Sequence, residues 1–155
     1  MKKKILFVCL GNICRSPMAE FYMKDLLKKR GETGFEIASA GTSGEEEGNP
    51  VHRGTERVLR AAGIPCGVRR ARRLTAADGA YYDLIVGMDA RNVADILRII
   101  GKDKADKVAR LLDFTGEKRD VADPWWTGDF DAAFRDVSAG CEALYRKIKS
   151  ENERA

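Results

Sequence analysis

The stretch that most restricts how this chain can fold is Cys9-Leu10-Gly11-Asn12-Ile13-Cys14-Arg15-Ser16-Pro17. It follows the apolar run Ile5-Leu6-Phe7-Val8 and leads into Met18, Phe21, Tyr22, Leu26 and Leu27, which recur at helical spacing. A strand stops, a loop turns and a helix starts. Successive N–H groups of such a loop, with the free N–H groups of the helix's first turn, can converge on one oxyanion, and the helix dipole adds partial positive charge there. Gly11 permits backbone conformations that a Cβ would obstruct. Arg15 adds a planar fork matched to phosphate.

The same field favours ionisation of a thiol placed in it, which would put a nucleophile, Cys9, beneath a phosphate site. Cys9 and Arg15 form a Cys-x5-Arg unit suited to attack on phosphorus, with the charge of the transferring group held by Arg15 and backbone amides. Taken alone, a cysteine ending a strand is usually a small packing residue. Gly11, Arg15, Ser16 and Pro17 at the same junction favour chemistry. Ser16 has two readings that can hold together: N-cap of the helix, with Pro17 at its first position, and hydrogen-bond donor to the thiolate. Neither a G-x-x-x-x-G-K-[ST] stretch nor a G-x-G-x-x-G after a strand occurs, so no nucleotide signature competes.

Val8 to Glu20 resembles the signature of the low-molecular-weight protein tyrosine phosphatases, a family with arsenate reductase and arginine phosphatase relatives. The resemblance continues through Ser39-Ala40-Gly41-Thr42, Met88-Asp89 and Asp123-Pro124-Trp125-Trp126. It implies a four-stranded parallel sheet in the order 2-1-3-4 with helices on both faces, and the signature loop at the carboxyl end of the central first strand. It implies Cys9 as nucleophile, Arg15 as phosphate clamp and Asp123 as general acid and base. Leu10, Gly11, Asn12, Ile13, Cys14 and Ser16, with Trp125 and Trp126, become the substrate-binding set. Asn12 and Ser39 are implied in hydrogen bonds that hold the loop, and Asp89 as a supporting carboxylate. As in relatives, oxidation is expected to join Cys9 and Cys14 in a disulfide that protects the nucleophile.

Asp123 supplies chemistry that the loop lacks. Cleaving a phosphate ester leaves an alkoxide or phenoxide, which a carboxylic acid at that oxygen can protonate; the same carboxylate can then deprotonate the hydrolytic water. Pro124 restricts Asp123 to extended conformations. Trp125 and Trp126 read either as buried packing residues or as an aromatic wall for a substrate ring. Asp120 and Asp129, flanking the same loop, read as turn or cap residues.

The remainder of the chain alternates strand and helix, the pattern of a parallel sheet with right-handed crossovers. Gly31 reads as a C-cap, Phe35 to Ala40 as a second strand, and Gly41 to Pro50 as a glycine-rich acidic loop on the active-site side of the sheet. A helix from about His52 to Ala62 and a short one near Thr75 precede a buried strand, Tyr82 to Met88. Asp89 is placed to cap the next helix. A strand at Lys107 to Leu112 and a final helix with Phe130, Phe134, Val137, Cys141, Leu144 and Ile148 on one stripe complete the pattern. One domain over residues 1–150 is expected, with a frayed tail at 151–155.

At 155 residues the chain is long enough for one core without disulfide or metal braces. Cys9, Cys14, Cys66 and Cys141, with the single His52, do not match zinc-site spacing, so no metal or other cofactor is expected. Cys66 and Cys141 read as packing residues. Met1-Lys2-Lys3-Lys4 before a short apolar run is read as the head of a first strand rather than a leader, and no apolar segment is long enough to span a membrane. Free thiols point to the cytoplasm. The net charge of +4 has one local cluster, Arg69-Arg70-Ala71-Arg72-Arg73, read as a solvated surface or a site for phosphate backbone or an acidic peptide. No aromatic interleaving supports nucleic acid. The expected partner is a phosphotyrosyl protein or peptide, and the expected state a monomer.

Two departures from the family pattern matter. Where many members carry an aromatic pocket wall after the second strand, this chain has Gly44-Glu45-Glu46, which predicts a more open, more acidic pocket. Arg69 stands where a histidine of the family's loop-bracing network is expected, so that network must be wired differently. Among relatives, arsenate reduction needs redox cysteines after the third strand, and Asp83 to Asn92 contains none. Arginine phosphatases carry threonine at the position of Ile13. A non-catalytic phosphopeptide-binding module would not need Cys9, Arg15 and Asp123 together.

Overall fold

Each side chain from Ile5 to Cys9 is buried, because the strand that carries them has helices on both faces. The computed structural model describes residues 3–154; Met1 and Lys2 of the expected first strand, and Ala155 of the expected tail, lie outside the described residues. The elements in chain order are β1 (Lys3–Cys9), α1 (Arg15–Lys29), β2 (Phe35–Gly41), α2 (Arg53–Ala61), α3 (Ala76–Tyr81), β3 (Leu84–Gly87), α4 (Ala90–Ile100), β4 (Val108–Arg110), α5 (Pro124–Thr127) and α6 (Phe130–Arg154). The four strands are parallel in the order β2-β1-β3-β4, the order that the family resemblance implies.

Alternation along β1 divides the core. Ile5, Phe7 and Cys9 pack into the larger cluster with Met18 of α1 and Val137, Cys141 and Leu144 of α6. Leu6 and Val8 face the other way, against Tyr82, Ile85, Ile96 and Ile100. Full burial of each large apolar side chain contributes about 1.5–3 kcal/mol, so β1 is anchored from both sides. Register then fixes the site: Cys9 lies opposite Gly41 and Val8 opposite Gly87, which brings the loops after β1, β2 and β3 to one edge. Gly41 is required there. A Cβ at that position would stand 2.8 Å from the Leu10 carbonyl oxygen and 3.2 Å from the Asn12 side chain.

Several boundaries differ from the sequence expectation. The third strand starts at Leu84, because the N–H of Tyr82 closes α3 on the Asp78 carbonyl. The fourth is confined to Val108–Arg110; from Leu111 the chain tightens into a 3-10 turn to Thr115 that buries Leu111 and Leu112 completely. The last helix is continuous through Arg154. Asp89 caps α4 as expected, accepting from the Asn92 N–H at 2.7 Å. Among the described residues no helix is long and apolar enough to cross a membrane.

Candidate active site

The loop between β1 and α1 is held by its carbonyls. Those of Cys9 and Leu10 accept from the N–H groups of Thr42 and Ser43 just beyond β2, at 3.0 and 2.9 Å. Those of Ile13 and Cys14 accept from His52 N–H (2.9 Å) and Thr55 Oγ1 (3.0 Å). Among the described residues, the N–H groups of Leu10 to Cys14 donate to no protein group. They are left as donors for an oxyanion in the loop.

Asn12 is the pivot of the turn. Its φ of +59° is left-handed, a conformation that asparagine tolerates better than most residues. Its fully buried side chain is saturated: Nδ2 donates to Ser16 Oγ (2.8 Å) and Ser39 Oγ (3.0 Å), and Oδ1 accepts from Arg69 Nη2 (2.7 Å) and Arg72 N–H (3.0 Å). Ser39 Oγ donates a hydrogen bond to Glu20 Oε1 at 2.5 Å, and Glu20 is in turn paired with Lys24 (2.6 Å) and Arg69 (3.4 Å). Ser16 Oγ, at the near end of this chain, lies 3.0 Å from Cys9 Sγ.

Arg15 is buried to 2% exposure beneath the pocket. One guanidinium nitrogen, Nη1, donates to Asp89 Oδ2 and to the Val121 carbonyl, both at 2.8 Å; Nη2 lies 3.4 Å from Asp123 Oδ2. Its Nε has no partner among the described residues. Burial opposes the Arg15 charge, but Coulombic attraction to Cys9, the Asp89 hydrogen bond and Asp123 more than offset this, and the net shift of its pKa is upward. Arg15 is thus a permanent cation aimed at the pocket. Cys14 is the opposite case. Burial first, then the neighbouring Cys9 and Asp123 charges, push its thiol up to about 12, so it is a neutral thiol at physiological pH.

Asp123 caps the short α5, accepting from Trp125 N–H at 3.1 Å, in the extended conformation (ψ 111°) that Pro124 imposes. Its other oxygen faces Arg15. The cleft above the loop has a volume of about 190 Å³. Cys9, Cys14, Arg15 and Asp123 contribute to its lining, as do Trp125, Trp126, Glu45 and Glu46. A buried cation, a row of free amides, a thiol and a carboxylate in one cleft are the groups that binding and attack on a phosphomonoester would call for.

The chain matches the sequence profile described as "Low molecular weight phosphotyrosine protein phosphatase" over residues 4–154. The chain belongs to this family. It is 40% identical over 152 residues to the low molecular weight protein-tyrosine-phosphatase YfkJ of Bacillus subtilis, covering 96% of this chain and 97% of that protein. The crystal structure of YfkJ superposes with a TM-score of 0.94 over 97% of each chain. The low molecular weight protein-tyrosine-phosphatase PtpA of Staphylococcus aureus is 38% identical over 141 residues, 90% of each chain. A Drosophila arginine phosphatase has a TM-score of 0.85 at 28% identity, with 96% of this chain and 98% of that one covered.

Within this phosphatase fold the residues singled out from the sequence separate into two groups. Cys9, Leu10, Gly11, Ile13, Cys14, Arg15, Asp123, Trp125 and Trp126 line the cleft. Asn12, Ser16 and Ser39 are buried behind it, and Asp89 reaches it only through Arg15. Ser16 is not the helix N-cap: α1 begins at Arg15 with Cys14 at the cap position and no side-chain cap, because the Ser16 hydroxyl is turned inward to Cys9 and Asn12. Trp125 and Trp126 are not buried packing residues, being 54% and 79% exposed.

The basic cluster is divided: Arg70 and Arg73 are exposed, as a solvated surface requires, while Arg69 and Arg72 are tied into the fold. Arg69 braces Asn12, Arg72 forms a two-pronged pair with Asp78 (3.0 and 3.1 Å), and Arg70 donates to the Gly48 carbonyl. Sequence reasoning gave no role to Glu20 or Thr55; a glutamate on an amphipathic helix reads as solvated, and only the fold brings Ser39 and Arg69 to it. Asp120 and Asp129 are a turn brace and a cap, accepting from Ala90 N–H and Ala132 N–H, each at 2.9 Å.

Proposed function

We propose that the chain hydrolyses phosphotyrosine on proteins or peptides through a cysteinyl-phosphate intermediate. The observation that carries this reading is the convergence of Cys9, the unpaired loop amides, Arg15 and Asp123 on one cleft. The Cys9 thiolate attacks phosphorus, and the phosphorus–oxygen bond to the substrate breaks as Asp123 gives its proton to the leaving oxygen. Arg15 and the loop amides hold the charge on the equatorial oxygens, with Asp89 and Val121 fixing the guanidinium. A water then attacks the phosphocysteine, losing its proton to Asp123; the sulfur–phosphorus bond breaks, Ser16 hydrogen-bonds the returning thiolate, and phosphate leaves.

An aromatic substrate is supported by the exposed Trp125 and Trp126 on one side and apolar Ile13 on the lining. Four free cysteines, of which Cys9, Cys14 and Cys141 are buried, support a reducing compartment, the cytoplasm, and a monomer accounts for the site without a partner's residues. The test is a panel of phosphotyrosyl peptide, phosphoserine peptide, phosphoarginine and arsenate, with and without chelator. Phosphotyrosine should be turned over fastest, and chelator should not change the rate. Preferential turnover of phosphoarginine, or arsenate reduction with thioredoxin, would overturn the assignment.

A further inference from the structure

The mouth of the cleft is charged in a way that the chemistry at its floor does not require. Glu45 and Glu46, on the loop after β2, line it together with Trp125 and Trp126. Among the described residues Arg15 is the only cation on the lining, and it is buried and already paired with Asp89 and Asp123. Glu45 is exposed; its N–H is tied to Ser43 Oγ at 3.1 Å, and its carboxylate has no partner among the described residues. Glu46 is held on the pocket side, its carboxylate accepting from Asn49 Nδ2 at 2.5 Å and its Cγ set against Gly11. The charge of Glu46 is felt as deep as Cys14. Arg73, an exposed cation, lies against Gly44 and is not among the residues that line the cleft.

A phosphate dianion entering past two carboxylates is repelled unless the substrate brings its own positive charge. A Lys or Arg next to the phosphorylated residue removes that repulsion, pairs with the unpartnered Glu45 carboxylate and can lie on an exposed tryptophan face. Resting on the phosphotyrosine reading above, we propose that Glu45 and Glu46 are specificity-determining residues that select phosphotyrosyl segments carrying Lys or Arg beside the phosphotyrosine.

The experiment compares three phosphotyrosyl peptides that differ only in having Arg, Ala or Glu on both sides of the phosphotyrosine. kcat/KM is measured for the wild type, Glu45→Gln and the double variant Glu45→Gln/Glu46→Gln, at about 0.1 M and about 1 M salt. Charge pairs several ångströms apart in screened water, counted over two carboxylates and a reversal of the flanking charge, give an Arg-to-Glu ratio on the order of tenfold. The ratio should shrink at high salt, fall in Glu45→Gln and approach unity in the double variant. Equal kcat/KM for the three peptides, or a ratio unchanged in both variants, overturns the inference and leaves the activity standing. Failure to turn over any phosphotyrosyl peptide overturns the activity reading and the inference with it. Should the double variant not fold, Glu45→Gln alone decides, since its carboxylate holds no described group in place.

Discussion

Replacing Asn12 by alanine removes four hydrogen bonds at once, and the structure sets the size of the loss. The contacts with Ser16, Ser39, Arg69 and Arg72 are all 3.0 Å or shorter, and the Asn12 side chain is wholly buried. At a net of about 0.5–1.5 kcal/mol each, they are worth roughly 4 kcal/mol together. Alanine also tolerates the φ of +59° less well than asparagine, which adds about 1 kcal/mol. A loss of about 4–5 kcal/mol is a large share of a typical domain stability of about 5–15 kcal/mol. Asn12→Gly forfeits the same four bonds without the backbone strain, so it should be about 1 kcal/mol more stable than Asn12→Ala. Urea unfolding of the two variants and the wild type measures both quantities. A loss below about 1 kcal/mol for Asn12→Ala, or glycine proving no better than alanine, would refute the reasoning.

Asp123→Ala should lower kcat for a phosphotyrosyl peptide by about 10²–10⁴-fold and for p-nitrophenyl phosphate much less, because the nitrophenolate departs with little help; equal losses for both esters would reduce Asp123 to a loop-positioning residue. Asp120→Ala, which loses only a brace to Ala90 and Arg110, should show no such dependence on the leaving group. Because burial keeps Cys14 a thiol up to about 12, iodoacetamide at about pH 7 should label Cys9 and spare Cys14 in the folded protein, as read by peptide mass spectrometry. After peroxide and then dithiothreitol, the wild type should recover activity and Cys14→Ser should not; equal recovery would remove the protective role of Cys14.

What was legible in the sequence was local. The strand–loop–helix junction, the Asp89 cap and the apolar stripe of α6 are each written in consecutive or helically spaced residues, and the structure carries all three. The sheet order came from family resemblance, since periodicity holds no information about which strands are neighbours. Ser16 shows the limit: Ser before Pro has the form of a helix cap, but the thiol 3.0 Å away and the Asn12 amide claim its hydroxyl. Arg69 was legible only as a substitution in a family network. Its hydrogen bond spans 57 residues of sequence, a distance at which no pattern of neighbours reports contact. Glu20 was illegible for the same reason. Leu111 and Leu112 extended the apparent strand because burial beneath α6, and not sheet pairing, is what their apolar character serves.

The most direct test of the central claim is to quench a reaction in acid and weigh the protein. Asp123→Ala, mixed with excess p-nitrophenyl phosphate and stopped within the first turnovers, should gain the mass of one phosphoryl group, and peptide mapping should place it on Cys9 as phosphocysteine. The adduct should be absent from Cys9→Ser treated the same way. Turnover that persists in Cys9→Ser, or a phosphoryl group found on any other residue, would contradict the account.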